Sequence, residues 1–344
     1  MPPEWAPHVG TILSWPHNVD EWGDAHAAAE QAFVELATRL SRVETVHVNV
    51  PDDAWAQRVG DALDGAGARR AAVQLHLIRT DDVWARDHGP SVVFEPGAPD
   101  AGPLWIDWVF DAWGGKYLHA DDVVVPARLA PRLGARRAAV DVVMEGGAFD
   151  VNGRGDLLTT ESAALHPNRG DRTRADVEAA FGEHLGVRRV CWLGAGLAGD
   201  DTDGHVDDLA RFVDDDTIAC VVSDDPGDED HDALAENLER LRTFVGVGER
   251  RFDIVPLPQP RPVVRDGERL PASYANFYVA NGLVLVPVFD QPTDAVAIER
   301  LAAAMPDRRV VGIDARGLVT QYGALHCVTQ QLPAALSHVT TLRG

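Results

Sequence analysis

Strand-like and helix-like segments alternate along this chain from one end to the other. Thr11–Trp15 reads as a strand stopped by Pro16. His26–Leu40 reads as a helix, with Phe33, Leu36, Ala37 and Leu40 at helical spacing. Val43–Val50 alternates with Val46, Val48 and Val50 on one face, Pro51 opens a second helix, and Val73–Ile78 is again a strand. The spacing predicts later helices over Arg172–Leu185, His231–Val245 and Thr293–Met305. It predicts later strands over Leu104–Phe110, Ala138–Val143, Val187–Trp192, Thr217–Val222, Ser273–Val279, Leu283–Val288 and Arg309–Ile313. Such alternation calls for an α/β fold built from many strand–helix–strand units. No stretch longer than a loop is rich in Pro, Gly or Ser, so one domain over 1–344 is expected. No residue-level internal repeat is visible.

Composition narrows the function. A hydrophobic fraction of 45% supports a packed core rather than disorder. No apolar run approaches the roughly 20 residues that span a bilayer. Met1-Pro2-Pro3-Glu4-Trp5 lacks a basic region followed by an apolar one, so a cytoplasmic protein is expected. Three widely spaced cysteines suit a reducing compartment better than a disulfide framework. The formal net charge is -23, and Lys116 is the only lysine. Such a surface repels phosphate backbones and would draw in small cations, but for the bulk of the surface the acidity is read as serving solubility or reflecting a GC-rich or salt-adapted genome.

Several motifs fail on context. Gly194-Ala195-Gly196-Leu197-Ala198-Gly199 has dinucleotide spacing, but Asp200, Asp201 and Asp203 follow at once and would repel a pyrophosphate. A turn that places those acids is the better reading. Registered on Gly204, a calcium loop would put Gly199 and Ala210 at ligand positions, and neither can bind metal. No metal ligand set emerges. Cys191 and Cys220 lie in apolar strands and read as packing residues; His47 and His76 read as surface or half-buried strand residues.

What survives is a set of groups suited to covalent chemistry on a cation: Cys327, His205, Asp87, Asp207 and Glu145. A guanidinium is planar, always protonated and carries five N–H donors that meet carboxylates in pairs. Two acids clamping it would fix its plane and leave its central carbon open to a thiolate. The substrate's own charge would favour that thiolate. Trp84 and Trp113 sit beside charged or Gly-rich loops, where a flat ring can stack on a guanidinium.

The chain resembles the agmatine deiminase family, which includes bacterial peptidylarginine deiminases. The resemblance begins at Pro3-Glu4-Trp5-Ala6-Pro7-His8 and Ser14-Trp15-Pro16. It continues through Trp84-Ala85-Arg86-Asp87-His88-Gly89-Pro90, Glu145-Gly146-Gly147 and Leu158-Thr159-Thr160-Glu161. Further along come Asp201-Thr202-Asp203-Gly204-His205-Val206-Asp207, Tyr274-Ala275-Asn276-Phe277-Tyr278 and Val288-Phe289-Asp290. It ends at His326-Cys327-Val328-Thr329-Gln330-Gln331. It implies a five-bladed α/β propeller of ββαβ-like units with a central site. It also implies Cys327 as nucleophile, His205 as acid/base, Asp87 and Asp207 as guanidinium ligands, and Glu145 as a supporting residue. No metal or organic cofactor is expected. The implied reaction is agmatine plus water giving N-carbamoylputrescine and ammonia, a step in polyamine synthesis, and a homodimer is compatible with the family. For substrate choice, Asp201 is the candidate acid at the far end of the pocket and Asn276 a candidate lining residue. The rivals are a deiminase of arginine, peptidyl-arginine or another guanidino compound, an amidinotransferase, and a non-catalytic binding propeller.

Overall fold

A computed structural model describes residues 1–335 apart from 96, 99 and 100, so residues 336–344 of the expected single domain lie outside the described residues. Among the described residues, five sheets share one connectivity. A short strand pairs antiparallel with a longer one, which pairs parallel with a third. The four clearest cases start at Ser91–Val93, Phe149–Val151, Ala210–Phe212 and Tyr278–Ala280. Their longer partners are Leu104–Val109, Asp156–Thr160, Thr217–Val222 and Leu283–Val288. The third strands are Arg136–Val143, Arg189–Leu193, Asp253–Pro258 and Arg309–Asp314.

The fifth sheet joins the two ends of the chain. Gln330–Pro333 pairs antiparallel with His8–Ser14, which runs parallel to Thr45–Val50, and Val73–Leu77 adds a fourth strand. A sixth, two-stranded ribbon joins Val263–Arg265 to Glu268–Leu270.

Parallel neighbours need a crossover, and helices supply it. His26–Leu40, Arg174–Leu185, His231–Thr243 and Pro292–Ala304 each connect a parallel pair. Between Leu104–Val109 and Arg136–Val143 the crossover is made by the short helices Val125–Leu129 and Ala130–Leu133. The long helices bury one stripe: Phe33, Leu36, Ala37 and Leu40 in the first, and Val177, Phe181 and Leu185 in the second. Thr173 and Asp176 form a capping box that starts the second.

The long elements fall where periodicity placed them, with His26–Leu40, Thr217–Val222 and Leu283–Val288 matching to the residue. Ser273–Val279 differs. Only Tyr278–Ala280 is a strand, because Ser273 to Phe277 is held by local side-chain bonds: the Ser273 hydroxyl donates to the Asp208 carbonyl and accepts from Ala275 N. His47 and His76 also differ, being buried and facing each other across adjacent strands with Nδ1 and Nε2 3.1 Å apart. No helix among the described residues is long and apolar enough to cross a membrane.

Candidate active site

Each short strand is preceded by a loop that carries a candidate residue. Asp87 precedes Ser91–Val93 and Glu145 precedes Phe149–Val151. His205 and Asp207 precede Ala210–Phe212, Asn276 precedes Tyr278–Ala280, and Cys327 precedes Gln330–Pro333. The shared connectivity thus turns five distant loops toward one place.

Gly147 sits at their meeting point. A Cβ there would lie 2.6 Å from His205 Nδ1 and 3.0 Å from both Asp207 Oδ2 and Asp87 Oδ1, so only glycine lets these groups converge. Its amide donates to Asp87 Oδ1 at 2.9 Å, and Trp113 Nε1 donates to Asp87 Oδ2 at 3.1 Å. His205 lies between two acids, with Nδ1 3.8 Å from Asp87 Oδ2 and Nε2 3.7 Å from Glu145 Oε2. Neither ring nitrogen has a hydrogen-bond partner. Glu145 is anchored from behind by Arg169 Nε. The Cys327 thiol lies 3.6 Å from Asp207 Oδ2, and Asn276 Nδ2 donates to it at 3.0 Å.

The electrostatics follow from burial among acids. Burial raises the Asp87 carboxyl to about 6, with Asp207 and Glu145 adding to the rise against the pull of His205. Burial alone would lower His205, but Asp87, then Glu145 and Asp207, outweigh it and lift the imidazole to about 9. Burial likewise opposes ionisation of Glu145, yet His205 and Arg169 hold it below the usual carboxylate range. Burial, then Asp207, Asp208 and Asp87, push the Cys327 thiol well up. Burial among acids thus favours the neutral thiol of Cys327 and the charged imidazole of His205.

A cleft of about 400 Å³, counting its open mouth, leads to Cys327. Asp82, Trp84, Asp87, Trp113, Tyr117 and Asp201 line it, with Thr202 and the Gln321–Gly323 turn. No basic side chain is among its lining residues that the structure describes. His205, Glu145 and Asp207 are fully buried behind it. Gly323 permits Trp84 to pack in, since a Cβ there would lie 2.3 Å from the indole. The backbone of Ala112 and Trp113 is left-handed, at φ 55° and 56°, and that turn brings the Trp113 N–H to Asp87.

One sequence expectation needs correction. Asn276 does not line the cleft. It lies beneath Cys327, where its Oδ1 accepts from His326 N at 2.9 Å and Cys327 N at 3.3 Å. Its amide is consumed in holding the turn that presents the thiol. Asp201 lies on the cleft wall, its carboxylate meeting Tyr117 OH at 2.5 Å and Lys116 Nζ at 3.5 Å. The acid that sequence reasoning missed is Asp82, on the cleft wall. Burial, then the nearby Glu21, raise it to about 7. Its only signal was its place two residues before Trp84. The glycine-rich turn performs its expected service through Asp200, whose Oδ2 accepts from His205 N at 3.0 Å. No group of three or more His, Cys, Asp and Glu among the described residues is arranged to hold a metal.

The fold and this grouping of thiol, imidazole and acids define an enzyme that hydrolyses C–N bonds of linear amidines. The chain belongs to the Porphyromonas-type peptidyl-arginine deiminase family, whose model matches residues 1–333. A relative from Shewanella frigidimarina, provisionally named an agmatine deiminase, is 32% identical over 97% of this chain and 94% of its own length. A solved structure from Porphyromonas gingivalis, provisionally named an arginine deiminase, is 40% identical with a TM-score of 0.88, covering 97% of this chain and 98% of its own. The agmatine deiminase of Enterococcus faecalis is 28% identical with a TM-score of 0.91, covering 98% and 96%.

Proposed function

We propose that this chain hydrolyses agmatine to N-carbamoylputrescine and ammonia through a covalent intermediate on Cys327. The observation that carries the substrate is the cleft wall, which offers Asp82, Asp87 and Asp201 and no basic side chain. Agmatine is cationic at both ends. Arginine would bring an α-carboxylate into that wall, where nothing basic receives it; Lys116, the nearby cation, is held by Asp201 and Asp203.

In this reading Asp87 and Asp207 hold the guanidinium, each oxygen of Asp87 having a second lone pair free beyond its present bond. Trp84 and Trp113 flank the guanidinium and Asp82 receives the distal ammonium. The bound cation offsets the acids that raise the thiol, and Cys327 releases its proton to solvent and attacks the guanidinium carbon. The His205 imidazolium protonates the departing nitrogen and ammonia leaves. The S-alkylthiouronium that remains takes up water, His205 accepting the water's proton. Collapse breaks the C–S bond and returns the thiol, the ureido product and, in sum, one ammonium. Glu145 keeps His205 charged and oriented.

The five like-connected sheets are read as blades of an α/β propeller around this site, within one domain. A cytoplasmic place, a role in polyamine synthesis and a homodimer belong to the same proposal. The test is ammonia release from agmatine, arginine and an arginine peptide, with Cys327→Ala as control. Release from agmatine that the variant abolishes is expected. Release from arginine or the peptide instead would keep the chemistry and overturn the substrate.

A further inference from the structure

Asp207 is asymmetric. Its Oδ2 lies 2.6 Å from His326 Nδ1, while its Oδ1 is buried with no hydrogen-bond partner. The other face of His326 meets a second acid, with Nε2 2.8 Å from Glu4 Oε2. Glu4 comes from the opposite end of the chain and is pinned in turn. Its Oε1 accepts from Val279 N at 2.8 Å, and its Oε2 meets Arg86 Nη2 at 3.1 Å and Arg211 Nη2 at 2.9 Å. Asp150 faces Arg211 Nε at 3.4 Å. All of these side chains are buried.

His326 thus stands between two carboxylates, one of them, Glu4, also met by the guanidiniums of Arg86 and Arg211. Both ring nitrogens face carboxylate oxygens, and only an imidazolium can donate to both. Burial opposes ionisation of Glu4 and Asp207. Arg211 and His326 nonetheless hold Glu4 well below its usual range, and His326, with His205 and Arg211, lowers Asp207.

We propose that His326 is a positioning residue for the reaction above: an imidazolium strung between Glu4 and Asp207, it occupies Asp207 Oδ2 and so leaves Oδ1 without a partner inside the protein, for the substrate's guanidinium to complete. The inference rests on the deiminase reading for the identity of the cation, but not for the protonation of His326. An unpaired buried carboxylate oxygen is costly unless something cationic completes it. In this arrangement the fold leaves that oxygen open by satisfying its twin. The N-terminal segment thereby takes part in the site through Glu4, without touching substrate.

Two measurements test this. In a Cys327→Ala background, agmatine binding is compared for His326→Gln, Asp207→Asn and the pair. If His326 acts through Asp207, His326→Gln weakens binding by about 10-fold alone and by less than about 2-fold once Asp207 is Asn. Equal losses in both backgrounds would overturn the proposal, since a general structural role adds independently. The second measurement needs no substrate: the 15N shifts of His326 in the parent, assigned by their perturbation in Asp207→Asn. Both nitrogens should carry protons at neutral pH, and a neutral imidazole there would overturn the proposal. If the parent bound and hydrolysed no guanidino compound, the functional reading would fail while this second result still stood.

Discussion

Glu145→Gln isolates the charge that sets His205. The carboxylate oxygen lies 3.7 Å from His205 Nε2, in a fully buried setting. At an effective dielectric near 20, one unit charge at that range is worth about 4 kcal/mol. At 1.36 kcal/mol per unit, its removal lowers the imidazole pKa by up to about 3 units. Asp87 and Asp207 remain, so His205 should fall from about 9 to between about 6 and 7. The glutamine oxygen can still accept from Arg169, which favours retention of the fold.

The sign is definite. In the parent the imidazolium persists up to about pH 9, so its proton is available to the leaving nitrogen throughout the neutral range. In the variant that proton is lost near pH 6 to 7. The profile of kcat/KM for agmatine, which reports the free enzyme, should therefore lose activity on a basic limb about two to three units more acid than the parent's. Stability moves with it. The raised His205 contributes stability fully present below about pH 6.5 and lost as pH rises through about 9, and the variant should lack most of this. A basic limb within about half a unit of the parent's would refute the assignment of His205 as the group whose proton Glu145 supports.

Cys327→Ser should lower turnover by at least about 10⁴-fold, and mass spectrometry of acid-quenched parent, but not variant, should show an adduct on residue 327. Asn276→Ala leaves the amides of His326 and Cys327 without their shared acceptor. A stability loss of about 3 kcal/mol by urea denaturation is expected, with about 100-fold lower kcat/KM as the thiol turn loosens. Asp82→Asn should raise KM for agmatine by about 10-fold and leave a butylguanidine substrate, which lacks the ammonium, unchanged. The same variant should be more stable than the parent by about 1 kcal/mol at pH 8. Its gain should vanish near pH 4, because ionising Asp82 costs the parent stability as pH rises from about 4 through about 7.

The long elements were legible because each carries enough residues to show a period. Arg174–Leu185 repeats its buried Val177, Phe181 and Leu185 at four-residue steps, and Thr45–Val50 alternates visibly. The short strands that organise the molecule were not. Ser91–Val93, Phe149–Val151 and Ala210–Phe212 are three residues each and buried throughout, so they show no alternation to read. Without them the common connectivity of the five sheets cannot be seen, and neither can the reason five loops converge. Glu4 shows the limit most plainly. In the sequence it is one acid among 54 Asp and Glu, and its partner His326 is 322 residues away.

The sequence by itself determined the class of fold and the kinds of groups at work. Local spacing sets helix and strand, and a thiol, an imidazole and acids are chemically specific wherever they lie. It also determined an acidic surface that repels phosphate backbones, since net charge is a sum over residues. Tertiary structure alone decided which acids remain available. Asp201 and Asp82 both line the cleft, Asp201 meeting Tyr117 and Lys116; Asn276 donates to the thiol, and His326 meets one oxygen of Asp207 while the other is buried without a partner. Hydrogen bonding and burial depend on distances between segments that the chain order does not encode locally, and those distances set the charge and direction of each group.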